Sequence, residues 1–108
     1  MIISVIVPVY NREKFIGKCL DAMIAQDFCC DQYEILCIDN GSDDDTVSII
    51  SSYDQVHLLH EPKRGAYHAR NLGITHAKGD VIAFTDSDCV VSRNWLKEIA
   101  DAFCEKHT

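Results

Sequence analysis

Val81-Ile82-Ala83-Phe84-Thr85-Asp86-Ser87-Asp88 passes from four apolar residues directly into two carboxylates one residue apart. A short apolar run bounded by turn residues marks a strand buried on both faces, and such strands belong to parallel sheets covered by helices. Before it, Lys78-Gly79-Asp80 punctuates the chain, with Gly79 expected at the C-cap of a helix over residues 65–77. That helix carries Ala66, Ala69, Gly73 and Ala77, small enough for close packing. Upstream, Val56-His57-Leu58-Leu59-His60, Glu34-Ile35-Leu36-Cys37-Ile38-Asp39 and Ile2-Ile3-Ser4-Val5-Ile6-Val7-Pro8-Val9 read as three further strands. Pro8, lacking an N–H, is expected at its strand's end, where no ladder bond is needed.

Between these strands the period changes to that of helices. Phe15, Ile16, Cys19, Leu20, Met23 and Ile24 recur at helical spacing as one inward face, with Asn11 expected as N-cap. Ser42-Asp43-Asp44-Asp45 opens a second helix that turns Val47, Ile50 and Tyr53 inward, and Ser42 with Asp45 has capping-box spacing. A last helix is predicted from about Ser92, burying Trp95, Leu96, Ile99 and Phe103. Strand and helix alternating in this way predict an α/β, Rossmann-like parallel sheet of about four strands with helices on both faces. In such sheets ligands bind outside the carboxyl ends of the strands. The chemically distinctive residues, Tyr10, Asn11, Asp39, the 61–65 loop, Asp86 and Asp88, all follow strands.

The 108 residues suffice for one domain with its own core, and 47% hydrophobic with 25% charged residues is the balance of a soluble globular protein. A net charge of −7 argues against a nucleic-acid partner, which would call for clustered Lys and Arg. No stretch approaches a membrane span, and no secretory signal precedes the first strand. The six cysteines show neither a C-x-x-C pair nor zinc spacing, so they are expected to be reduced, in a cytoplasmic protein. Neither a P-loop, nor G-x-G-x-x-G after the first strand, nor a serine nucleophile elbow is present. Phosphates, if bound, need another device.

Asp86 and Asp88 supply one candidate. Two carboxylates at a strand end hold a hard divalent cation, which in turn holds phosphate oxygens; the plainer reading is a solvated acidic turn. Asp39 reads equally as an acceptor for a base imide or ribose hydroxyl and as an Asx-turn residue before Asn40-Gly41. Tyr10 offers an aromatic wall to a base, or is an ordinary half-buried tyrosine. Lys63, Arg64, Gly65, His68 and Arg70 form the one basic cluster in an acidic chain, with Gly65 permitting a tight turn into a helix N-terminus.

Four blocks together resemble the family 2 glycosyltransferases of GT-A fold: Ser4–Asn11, Glu34–Thr46, Gly65–Ile74 and Gly79–Asp88. The resemblance implies an inverting transferase using a nucleoside diphosphate sugar, often a UDP-sugar, with Mg2+ or Mn2+, and a glycan or lipid-linked acceptor. It implies that Pro8, Tyr10 and Asp39 frame the nucleoside, that Arg70 lies near base or phosphates, and that Asp86 serves ribose and metal while Asp88 binds the metal directly. Asn11, Arg12, Glu13, Gly65 and Ser87 join the expected substrate-binding set. Lys63 stands where many relatives have Asn, and no role is carried onto it. Relatives have a second half that binds the acceptor and supplies the catalytic base. The chain is therefore expected to be a truncated, donor-binding part, with no catalytic base of its own and inactive alone, acting in the full protein in the cytoplasm or at the inner face of the membrane. It is also expected to self-associate through an exposed sheet edge. The alternative is a non-catalytic nucleotide-binding or scaffolding module.

Overall fold

The computed structural model describes residues 1–106. Four strands, β1 (Ile3–Val9), β2 (Tyr33–Asp39), β3 (Val56–His60) and β4 (Val81–Phe84), form one parallel sheet in the order β3-β2-β1-β4. Four α-helices connect and cover it: α1 (Ile16–Ile24), α2 (Thr46–Ser51), α3 (Ala66–His76) and α4 (Trp95–Lys106), with a short 3-10 turn at Cys30–Gln32. The α/β sheet predicted from the strand–helix alternation is the sheet observed.

β1 is the axis of the domain. Ile3, Val5 and Val7 are fully buried and point to the face covered by α1, α2 and α4, where they meet Ile16, Leu20, Met23, Ile50 and Leu96. Ile6 points to the opposite face and packs with Leu36, Ile38 and Ala69 of α3. Each fully buried aliphatic side chain of this kind stabilises the fold by about 2 kcal/mol. Pro8 fits the ladder for a specific reason. The Ile6 carbonyl accepts from Thr85 N and the Val9 carbonyl from Asn40 N, so the even-numbered residues of β1 turn their backbone groups towards β4. The β4 register ends at Ile6↔Phe84, so the donor that Pro8 lacks falls beyond that strand.

Several local expectations are corrected by long-range partners. Asn11 is not the N-cap of α1, which starts at Ile16 after Phe15, because its side-chain oxygen instead accepts from Asp43 N, 2.9 Å away. Ser42 and Asp45 form no capping box: the Ser42 hydroxyl accepts from Asn11 N, and Asp44, not Ser42, accepts from the first helical amide, Thr46 N, at 2.9 Å. Phe15 (51% exposed), Ile24 (36%) and Phe103 (38%) lie outside the core, where the helical spacing had placed them inward. Tyr53 is half-buried, its hydroxyl donating to Asp21 at 2.7 Å.

Gly79 is not a C-cap either. α3 ends at Ala77 in extended conformation, and Gly79 has an ordinary backbone. Its need is steric: a Cβ there would stand 2.7 Å from both Ile2 O and Ser4 N. The amide of Gly79 donates to the buried Ser4 hydroxyl at 2.8 Å, and that hydroxyl donates to Glu34, tying the starts of β1, β2 and β4 together. Gly79→Ala therefore forces backbone apart and is expected to cost about 1–3 kcal/mol in urea unfolding. Gly17→Ala is the control: its Cβ would meet only Tyr53 Oη at 3.8 Å inside α1, so it is expected to be neutral or to gain up to about 1 kcal/mol of helix propensity.

Candidate functional site

The strand order places the change of winding direction between β1 and β4. A crevice opens there at the carboxyl ends of the strands, as it should in an open parallel sheet. Its volume is about 380 Å³, and it is lined by Pro8, Val9, Tyr10 and Arg12 from the end of β1, Asn40 from β2, Ala66 and Arg70 from α3, and Asp86, Ser87 and Asp88 from β4. Seven residues singled out from the sequence thus share one wall or another of a single cavity. Carboxylates and guanidiniums face the same space, an arrangement suited to a ligand that carries both a cation and phosphate oxygens.

Other expected site residues stand behind the lining. The Asp39 side chain is only 4% exposed and accepts from the amides of Gly41 and Ser42, each at 3.2 Å, with His60 Nδ1 3.5 Å away. It fixes the turn from which Asn40 projects. Asn11, at φ 50, and Glu13 staple the loop after β1 to the loop after β2: the Asn11 amide donates to Ser42, and the Glu13 carboxylate accepts from Asp45 N at 3.1 Å. The Arg12 amide joins them by donating to Thr46 Oγ1 at 2.8 Å. Gly65, at φ 115, takes a backbone shape that suits glycine and lets α3 begin at Ala66.

Two features were not anticipated from the sequence. Asn40, 6% exposed, holds the 61–65 loop with all of its amide: Nδ2 donates to Glu61 O at 2.9 Å and Lys63 O at 2.7 Å, and Oδ1 accepts from Gly65 N at 2.8 Å. Its partners lie more than twenty residues away and are backbone groups, so no local pattern announces them. Arg64, on that same loop, lays its guanidinium 4.0 Å from the centre of the Tyr10 ring and donates to the Tyr10 hydroxyl at 2.7 Å. Lys63 and His68 do not line the crevice.

The acidic loop after β4 closes on itself through Cys89 N, which donates to Asp86 O at 3.2 Å. Ser87 is buried between two exposed carboxylates. Among the described residues, Asp86, Asp88 and Cys89 converge so that one ligand atom from each lies within 4.8 Å of the others. Such a donor set fits a divalent cation. Behind the loop the thiol of Cys19 donates to Asp86 O at 3.7 Å; burial, then the neighbouring Cys89 and Asp88, push its pKa up to about 11, so it remains a neutral thiol. The following helix is fixed by the buried Gln26, which accepts from Leu96 N and donates to Ser92 O. All six cysteines are free.

Removing the Asn40 amide tests whether the 61–65 loop depends on it. Asn40→Ala is expected to lower stability by about 2–3 kcal/mol in urea unfolding, and Asn40→Asp by at least as much, since a carboxylate would face two carbonyl oxygens.

Residues 4–108 match the family described as glycosyl transferase family 2. The chain is 42% identical over 100 residues to the glycosyltransferase AglE of Haloferax volcanii, covering 88% of this chain and 33% of that protein. It superposes on the crystal structure of Staphylococcus aureus TarS with a TM-score of 0.92 at 32% identity, covering 99% of this chain and 20% of TarS. A crystal structure of TarS 1–349 in complex with UDP-GlcNAc gives 0.87 at 32% identity, over 99% of this chain and 32% of the other. The mannosyltransferase PcManGT of Pyrobaculum calidifontis, in complex with GDP-Man and Mn2+, gives 0.78 at 32% identity, over 84% and 29% respectively. The chain thus spans about a third or less of the proteins it matches. With its parallel sheet, its crevice at the β1–β4 junction and a match over nearly its whole length, this chain belongs to glycosyl transferase family 2 and has the GT-A fold.

Proposed function

We propose that residues 1–108 are the donor-binding part of an inverting glycosyltransferase, which moves a sugar from a nucleoside diphosphate sugar, a UDP-sugar, to a glycan or lipid-linked acceptor. The observation that carries this reading is the convergence of Tyr10, Arg12, Arg70, Asp86 and Asp88 on one crevice. Family membership and the nucleotide-sugar complexes of TarS and PcManGT support it.

In this reading Pro8 and Tyr10 flank the nucleoside. Asp39 frames the nucleoside with them and also holds the turn after β2, while Asn11, Glu13 and Gly65 shape the loops around it through bonds with backbone amides or, for Gly65, with the Asn40 side chain. Arg70 and Arg12 bring positive charge to the diphosphate. Asp86 and Asp88, with buried Ser87 between them, hold Mg2+ or Mn2+ and the ribose. When bound, the cation neutralises charge on the departing diphosphate. The relatives extend well beyond the region matched here, and in this reading the catalytic base and the acceptor site lie in that further part, so residues 1–108 alone are expected to bind UDP without transferring sugar. A cytoplasmic site of action, with the cysteines reduced, is part of this proposal. No helix among the described residues is long and apolar enough to cross a membrane.

Calorimetric titration with UDP checks the site. Affinity is expected to rise at least about tenfold, or 1.4 kcal/mol, when Mn2+ is added, and Asp88→Ala is expected to abolish that gain. Equal affinity with and without Mn2+ would overturn the metal assignment.

A homo-oligomer is proposed on separate grounds. Among the described residues β4 pairs with β1 alone, and Phe84 on it is 46% exposed. An unpaired edge beside an apolar side chain is a template for a second strand. Light scattering on the isolated chain is expected to report a species larger than the 12.2 kDa monomer; a monomer at millimolar concentration would contradict this.

A further inference from the structure

Cys89 is the one donor of the acidic loop that a hard cation does not call for. Burial accounts for Cys19 and Cys37, which behave as small apolar side chains in the core. Cys89 is exposed, forms no disulfide, and fills no core space. Its backbone closes the loop onto Asp86 O, and this turn carries its sulfur to the same side as the carboxylates. Sγ lies 3.8 Å from Asp88 Oδ1, and with Asp86 it completes the cluster whose donor atoms fall within 4.8 Å of one another.

We infer that Cys89 is a third protein donor to the cation held by Asp86 and Asp88, so that the site presents two oxygens and one sulfur and takes Co2+ or Zn2+ in preference to Mg2+. The inference rests on the donor-site reading above. Oxygen-only shells with near-octahedral geometry suit Mg2+, whereas a sulfur donor favours softer first-row cations and raises their affinity along the series from Mn2+ to Zn2+. Sulfur binds as the thiolate, so its proton passes to solvent as the cation enters. The remaining coordination positions stay open to water and diphosphate oxygens, because all three residues are exposed and two of them, Asp86 and Asp88, line the crevice.

The test is optical. Co2+ is titrated into the full, reduced chain with UDP present, and the near-ultraviolet absorption is followed for the sulfur-to-cobalt charge-transfer band. Cys89→Ser and Asp88→Ala are titrated alongside, with circular dichroism confirming their fold; Cys89 is at the surface, so its replacement leaves the core intact. The expected result is a band that saturates with one cobalt per chain, is lost in both variants, and accompanies a Zn2+ affinity roughly tenfold or more above that of Cys89→Ser, with Mg2+ affinity unchanged. A band that persists in Cys89→Ser belongs to other thiols and overturns the inference. No band, with Mn2+-dependent UDP binding intact, overturns the sulfur donor and leaves the donor-site reading standing. Failure of UDP and of every cation to bind overturns both.

Discussion

The domain depends on β1 being sandwiched on all sides: strands on both edges, helices on both faces. A strand in that position has no room for polar side chains along most of its length, and Ser4 is tolerated because its hydroxyl is fully engaged by Gly79 and Glu34. Polar chemistry is thereby displaced to the strand ends. β2 and β4, which run parallel on either side, obey the same rule, so their polar residues are delivered to the same edge. The crevice is a consequence of the burial pattern before it is a feature of any loop.

What the loops add is rigidity without regular structure. The segments after β1, β2 and β3 are joined by side-chain bonds to backbone: Asn11 and Glu13 to the Asp43–Asp45 stretch, Asp39 to the turn beyond it, Asn40 to the 61–65 loop. Each of these polar residues satisfies amides or carbonyls that would otherwise be lost to water at the rim. Arg64 stacked on Tyr10 completes the link between the first and third of these segments. An acidic chain thus keeps two cationic side chains, Arg12 and Arg70, in the crevice beside two carboxylates, so the local charge balance differs from the net charge of the molecule.

The strands were legible because β-branched runs ended by polar residues have few other readings, and the bounds of β3 and β4 agree to the residue. The crevice was legible in outline because parallel sheets bind ligands at one edge. Helix starts other than that of α3 were not, since local capping rules assume local partners. Asn11 has the right chemistry for a cap but spends it on Asp43, and Ser42 does the same with Asn11. The inward face of α1 was overdrawn at both ends: Phe15 precedes the helix as its N-cap residue, Ile24 is its last residue, and both are exposed. Gly79 shows the same limit in a different form: its glycine is required by the backbone of β1, which lies far away in sequence and close in space.

The pairing of Ile3 with Val81 joins residues 78 positions apart. Loop closure over such a span is slow relative to local helix formation, and parallel pairings are among the last contacts a chain can make. β1, β2 and β3 can associate as the polypeptide leaves the ribosome, but one side of the crevice is missing until β4 and its acidic loop emerge. During synthesis the nascent domain consequently passes through an interval in which its most apolar strand has a bare flank, and it gains any capacity to hold ligand only as that flank is covered.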